Sequence, residues 1–235
     1  MIASAGRTNA TETSRALHAN LADSNDIESL KWHYKELIDK GLDKDKVELV
    51  VTDMLMAYIS VIKEMFPNAL HQYCIFHFIQ HLNKLFKAAL KAHRYEHFKE
   101  GERKEAHQIA LLMLKGQEKL TSEEQQIVQA FCDTYPDVAA DYALKEDIRF
   151  LYANANSVEQ AVAFKDIIVD TYATCISKPM EAGVAFFEKN FEQSIAYLKT
   201  GYLRDKTNND AERMMRKIKR TQQTHYFLRD KENYN

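Results

Sequence analysis

Glycine and proline are scarce, at six and three in 235 residues. A chain so poor in turn formers is not a turn-dense β protein. Its long strings of Ala, Leu, Lys, Glu, Gln and Met favour a largely helical one instead. Cysteine is also sparse: Cys74, Cys132 and Cys175 are odd in number and far apart. That excludes a disulfide framework and points to a reducing compartment. No apolar run approaches the roughly 20 residues needed to cross a bilayer, and the N-terminus carries no signal-peptide pattern. No repeat recurs at a fixed period. A soluble protein of the cytoplasm, without a membrane partner, is expected.

What is present is an ordinary globular balance, 46% hydrophobic and 28% charged, enough to build a substantial core in one or two domains. The net charge of −2 hides an uneven distribution. Between Lys199 and Lys231 there are ten Lys or Arg against four Asp or Glu, so a basic C-terminal segment follows an acidic chain. Such a segment suits a polyanionic partner, although many solvated helices look similar.

Residues 1–16 are small and polar without a period, and an irregular start is expected there. From Asn25, Ile27, Leu30, Tyr34, Leu37 and Ile38 fall on one helical face, with Asn25 or Asp26 as cap and Gly41 as stop. "KVELVVTD", residues 46–53, is the clearest strand. "MLMAYISVIKEMF" is apolar nearly all round, ends at Pro67, and is expected as a buried helix on that strand. "NALHQYC" reads as a second short strand and "IFHFIQHLNKLFKAALKAHR" as a long helix. This strand–helix alternation is that of an α/β unit. From about 95 to 200 only helical periodicity follows, with Thr121 and Glu124 spaced as a capping box and Pro136 and Pro179 where helices would begin. The aromatics of this block (Phe131, Tyr135, Phe150, Tyr152, Phe164, Tyr172, Phe186, Phe187, Phe191) recur at helical spacing, as core residues do.

Three stretches could carry chemistry. Asp53 closes an apolar strand ahead of a helix, which puts its carboxylate at the carboxyl edge of a sheet, where α/β folds bind ligands. It could equally cap that helix. In "KTNNDAERMMRKIKR", Asn208, Asn209 and Asp210 offer caps, and Glu212 in the first turn is followed by Arg213, Arg216, Lys217, Lys219 and Arg220. The Asn209-x-x-Glu212 spacing is that of a capping box, yet a carboxylate beside five cations also suits a metal over a phosphodiester whose backbone the cations hold. Third, "HQYCIFHFIQH" sets His71, Cys74, His77 and His81 within eleven positions. Were all of it helical, four ligands strung over roughly 15 Å at about 1.5 Å per residue could not reach one ion. A four-ligand zinc site drawn from one helix is thereby excluded. A bend between Cys74 and His77, or distant partners such as His93, would still permit a site.

Taken together, "VVTDMLMAYISVIKEMFPNALHQYCIFHFIQHLNK" and, far downstream, "TNNDAERMMRKIKRTQQTHYF" resemble the catalytic region of DDE transposases of insertion sequences and mutator-like elements. The resemblance spans about residues 17–95 and 199–233, while 96–198 matches only in being helical. It implies a predominantly α chain with a small α/β part: an incomplete ribonuclease-H-like core (17–95 and 199–235) interrupted by an all-helical insertion (96–198). Asp53 in "VTDM" matches the family's second catalytic aspartate, and Glu212 in "NNDAER" the final glutamate, both as metal ligands. Cys74 and His77 in "CIFH" match its C-x-x-H element beside the active site. Implied with them are Mg2+ or Mn2+ as cofactor, element-end and target DNA as partners, and self-association.

The sequence departs from that pattern at one point. The family's first aspartate lies two strands ahead of "ALHANLADSND", which looks like the end of a third strand, and only some sixteen residues precede it. Asp23 and Asp26 suit the loop before the first helix rather than the missing position. The expectation is a truncated or split catalytic region, lacking the family's N-terminal DNA-binding module and inactive by itself. The alternative is a non-catalytic helical nucleic-acid or protein interaction module, in which Arg213 to Arg220, with Tyr226 and Phe227, would bind phosphates and bases. Convergence separates the two: only the transposase reading requires Asp53 and Glu212 to meet.

Overall fold

The structure, a computed structural model, describes residues 2–6, 15–20, 26–201, 203 and 206–224. It divides into two compact units, one formed by Met1–Cys74 with Gln193–Asn235 and the other by Ile75–Glu192.

In the first unit, β1 (Ile2–Gly6) pairs antiparallel with β2 (Arg15–Asn20), and a register shift between Ser4 and Ala5 marks an irregularity in the ladder. The expected irregular start is therefore a strand in part. Its short run of small residues shows no alternation, and the ladder to β2 and the burial of Ile2 hold it in place. The strand anticipated near "ALHAN" is β2.

Helix α1 (Ile27–Asp39) begins where the Asp26 carboxylate accepts the Ser29 N–H at 2.8 Å. It buries Leu30, His33, Tyr34 and Leu37 along one face. The helix ends at Gly41, whose φ of 105° lies in the left-handed region that glycine tolerates. Asn25, the other expected cap, lies outside the described residues. Strand β3 (Leu49–Thr52) runs parallel to β4 (Leu70–Tyr73), with Thr52 opposite Tyr73, and α2 (Met56–Met65) makes the crossover.

Expected to be buried, α2 is buried on one side only. Val61 and Ile62 join Ile2, Leu30, Tyr34, Leu37 and Phe66 in the core, whereas Met56 and Ile59 face solvent, Met56 at 77% exposure. The helix packs chiefly on α1 and β4, which leaves a flank of an all-round apolar helix uncovered. Among the described residues, α10 (Asn209–Thr224) completes this unit by packing on β1, after the short α9 (Tyr197–Thr200).

The second unit is all helical: α3 (Ile75–His97), α4 (Arg103–Met113), α5 (Ser122–Thr134), α6 (Pro136–Asn154), α7 (Val158–Thr171) and α8 (Lys178–Ser194), whose last two residues belong to the first unit. Expected local signals are in place. Thr121 and Glu124 form a reciprocal capping box, and Pro136 opens α6. The helix α3 packs with this block, so the two compact units divide at Cys74/Ile75.

The spine of the second unit is the α3–α6 pair. Phe78 of α3 meets Tyr152 edge-on at 5.3 Å and Phe186 at 4.7 Å, and Tyr152, Tyr172, Phe187 and Phe191 are buried. Phe150, expected in the core, is 54% exposed and touches Phe164 at its rim.

Lys145 is fully buried in this unit. Its ammonium donates to the carbonyls of Met113 at 2.5 Å and Lys115 at 2.8 Å, lies 2.5 Å from a Glu146 oxygen, and sits 4.6 Å over the Tyr142 ring. Three protons thus meet three acceptors at the end of α4. Burial pulls its pKa down while Glu146 opposes the shift. Lys145→Ala should leave the two carbonyls and Glu146 unmatched and cost about 3 kcal/mol, read as a lowered urea midpoint for loss of helical ellipticity.

Candidate functional site

Parallel strands end together at one edge of β3 and β4, and the residues just beyond that edge are Asp53 and Cys74. Cys74 is completely buried and is not part of a disulfide. Its N–H donates to the Thr52 carbonyl at 2.8 Å, which extends the ladder one step past the last paired residues. Its Sγ accepts the Asn208 N–H at 3.5 Å. The Asn208 carbonyl in turn accepts the Glu212 N–H at 3.2 Å, the first helical bond of α10. A continuous relay therefore links the residue before Asp53 to the helical turn that carries Glu212.

A second tie comes from β4. Gln72 is fully buried, its amide donating to the Tyr73 carbonyl at 2.5 Å and the Ser194 carbonyl at 2.8 Å and accepting from the Tyr197 N–H at 3.0 Å. It fixes the returning chain against the same strand. Sequence inspection passes over it, because nothing about a glutamine in an apolar strand marks which carbonyls it will meet.

The structure also decides two local alternatives. Asp53 is not the N-cap of α2. That position is Leu55, and Asp53 Oδ1 accepts the Leu55 N–H, at 3.3 Å, in a turn ahead of the helix. Nor does Asn209 head a capping box, since it is already helical and Asn208 supplies the cap carbonyl. Glu212 is half-buried, with one carboxylate oxygen shielded from solvent. Asp53 is half-buried, and its charge reaches two tyrosines of the core. Burial, with a smaller push from Asp53, holds the Tyr58 hydroxyl up at about 12 and raises that of Tyr34 further.

The four residues of "HQYCIFHFIQH" take separate roles. His71 is on β4, Cys74 ends that strand, and His77 and His81 occupy the first two turns of α3. His81 lies against Phe186 at 4.2 Å, and His77 meets the edge of Phe76 at 5.4 Å. Among the described residues these four do not form a ligand cluster.

On α10, successive residues turn by about 100°, so Arg213, Arg216, Lys217 and Arg220 share one face and Lys219 lies off it. The first four are exposed, and Arg213 pairs with Asp210 one turn back. The side chain of Lys219, together with Tyr226 and Phe227, lies outside the described residues.

Two histidines beside this framework are held neutral. The Thr52 hydroxyl donates to the Asp53 carbonyl at 2.7 Å, so the contact of 2.7 Å between Thr52 Oγ1 and His71 Nε2 is donated by the ring. Burial brings His71 down to about 4. His33, 2.8 Å from Ser4 Oγ, is also brought to about 4, by burial first and then by His18 and Lys40.

In the unfolded chain both rings protonate below about 6.5. Their contribution to stability is therefore complete above that pH, declines as pH falls from about 6.5 to 4, and is gone below. At about pH 5 each should account for roughly 2 kcal/mol of lost stability. His33→Gln and His71→Gln should each flatten the fall in urea midpoint between about pH 7 and 5.

Residues 9–235 match the family model DDE_Tnp_ISL3, described as transposase. No curated protein and no solved structure matches the chain. The matched span takes in the β3–β4 edge, the relay through Cys74 and all of α10. No described helix is long and apolar enough to cross a membrane. By a family match covering nearly its whole length, the chain belongs to the ISL3-type DDE transposases.

Proposed function

We propose that this chain carries the catalytic region of a transposase that cuts and joins DNA at element ends, with Asp53 and Glu212 as its carboxylates for divalent cations. The observation that carries this reading is the relay Thr52–Cys74–Asn208, which ties the turn bearing Glu212 to the strand end bearing Asp53. The family acts on DNA and uses divalent metal ions. The parallel β3–β4 pair with its α2 crossover, together with the antiparallel β1–β2 pair, is read as part of a ribonuclease-H-like core into which the helical unit is inserted.

Asp53 and Glu212 suit Mg2+ or Mn2+ in donor type, since such ions take carboxylate oxygens and keep several waters. Only one oxygen of Asp53 accepts a bond among the described residues, and that bond is long. Bound ions would activate a water or 3′-hydroxyl and stabilise the oxygen leaving the phosphodiester. The exposed cations Arg213, Arg216, Lys217 and Arg220 would hold the DNA backbone next to Glu212, with Lys219 adding charge from the neighbouring face. Cys74 acts as a positioning residue, and His77 follows it as the second half of the family's C-x-x-H element.

Two carboxylates hold two magnesium ions poorly, because the ion demands near-octahedral geometry. The strands β1 and β2 bear no acidic residue, and among the described residues no trio of ligand groups forms at the end of β3. A third carboxylate must come from elsewhere, and the described part does not catalyse by itself.

With terminal-repeat DNA and Mg2+ or Mn2+, the chain by itself should give no cleavage. Robust Asp53-dependent cutting would overturn the claim of inactivity. The shared metal site is tested separately by replacing Mg2+ with Fe2+ and mapping hydroxyl-radical cuts in the protein. Cuts are expected beside both Asp53 and Glu212, and both sets should vanish in Asp53→Asn. Cuts at one position only would leave the non-catalytic interaction module as the better reading. For DNA binding, the logarithm of affinity should fall linearly with the logarithm of salt. Arg216→Ala and Lys217→Ala should each flatten that slope by about one, measured by fluorescence anisotropy.

A further inference from the structure

A second group of ligand-bearing side chains lies wholly within the helical unit, and the DDE chemistry does not use it. His93 and His97 are one turn apart on α3, on the same face, and Asp137 occupies the first turn of α6. Asp137 Oδ2 is 2.8 Å from His93 Nδ1 and 3.0 Å from His97 Nε2. One ligand atom from each residue lies within 4.8 Å of the others. Behind them, Asp141 is completely buried and accepts from His93 Nε2 at 3.1 Å and from the Ser177 N–H at 2.9 Å.

This arrangement fixes the chemistry of His93. The ring gives its Nε2–H to Asp141, so in the neutral imidazole Nδ1 carries a lone pair. That lone pair faces a carboxylate oxygen at 2.8 Å, and the contact is not aligned as a hydrogen bond. Two acceptors at this separation require positive charge between them. A second proton on the ring supplies that charge to Asp137 alone, whereas a cation can sit off the N–O line and take His97 as well.

We propose that His93 Nδ1, His97 Nε2 and a carboxylate oxygen of Asp137 form a transition-metal site, of the class taken by Zn2+, that clamps α3 to α6. Two imidazoles and one carboxylate are borderline ligands, which favour zinc over magnesium. Tetrahedral bonds of about 2.0–2.2 Å would set ligand atoms roughly 3.3–3.6 Å apart. The two histidine–carboxylate separations, 2.8 and 3.0 Å, need to open by about 0.5 Å to reach that spacing. Asp141 is the acceptor that orients a ligating histidine by taking its other ring N–H, as metal-ligating histidines generally require. His93 is nearly covered, while His97 and Asp137 are 32% and 46% exposed, so a metal can reach the site from solvent and a water can complete its coordination. The site needs neither Asp53 nor Glu212 and stands whether or not the catalytic reading holds.

The test uses the full chain stripped with chelator and titrated with Co2+, read by visible absorption, and with Zn2+, read by calorimetry. With the Asp53 carboxylate removed by Asp53→Asn, one equivalent should bind with the spectrum of tetrahedral nitrogen and oxygen ligands, and Zn2+ but not Mg2+ should raise the thermal midpoint. His97→Ala and Asp137→Asn change partly exposed side chains and should abolish this binding. Asp53→Asn should leave it intact. Asp141→Asn should weaken it by roughly tenfold or more through the orientation of His93. No stoichiometric binding, binding that survives both His97→Ala and Asp137→Asn, or a thiolate charge-transfer band lost in Cys→Ser variants would each overturn the proposal.

Discussion

The first unit depends on how Cys74 is used. A two-stranded parallel sheet is a weak platform, since each backbone hydrogen bond contributes only about 1 kcal/mol net and β3 and β4 share four residue pairs. Cys74 adds one more step to that ladder through its N–H and then turns its sulfur to the N–H of Asn208. A thiol suits the position because it packs as a small apolar group and still accepts weakly. Serine would bring a stronger donor that this fully covered spot would have to satisfy. The bond to sulfur adds little energy, so its value is geometric. It sets where α10 begins and therefore which residue occupies the turn beside the strand edge.

Gln72 carries the energetic share of the same task. Its amide meets three backbone groups in a covered environment, where leaving any one unmatched costs about 1–3 kcal/mol. Cys74 and Gln72 lie two residues apart on β4 and its extension, and both reach the chain that returns after the helical unit. The helical unit uses the same device with other groups. Lys145 closes the end of α4 onto α6, and Asp141 ties His93 of α3 to the backbone before α8. In both units apolar packing sets the general arrangement of elements, and a few buried polar side chains fix their register.

These contrasts explain what the sequence revealed. The strands at 49–52 and 70–73, the cap at Asp26, the stop at Gly41, the box at Thr121–Glu124 and the start at Pro136 were legible because each depends on neighbours within about one turn. Strand β1 was not legible, since its partner and the cover over Ile2 lie elsewhere in the chain. The exposed flank of α2 was missed for a related reason: an all-round apolar helix says that it can be buried, not how many neighbours the fold will supply. Of the three caps open at Asn208, Asn209 and Asp210, Asn208 is the one used, so the capping-box spacing from Asn209 is off by one residue. Asp53, Cys74 and Glu212, the residues of the proposed site, stand out in the sequence through motif resemblance alone. Gln72 and the cluster around His93 do not, because their partners are distant in sequence and carry no spacing rule.

The charges of α10 follow from the same start point. With Asn208 as cap, the apolar residues Ala211 and Met215 fall on one side, the side available for packing on β1. The exposed cations Arg213, Arg216, Lys217 and Arg220 fall on the other, and Glu212 lies on the border between the two faces. Moving the helix start by one residue would rotate Glu212 by about 100°, into either the packed face or the fully solvated one. A carboxylate on that border is half-covered, so its field is less screened than at the surface, yet an ion can still reach it from the side that carries the cations. Asp210 pairs with Arg213 and reduces the positive charge closest to Glu212, which leaves the cation excess further along the helix. The register set by one buried thiol thus separates, along a single helix, a carboxylate border suited to cations from a basic face suited to phosphates.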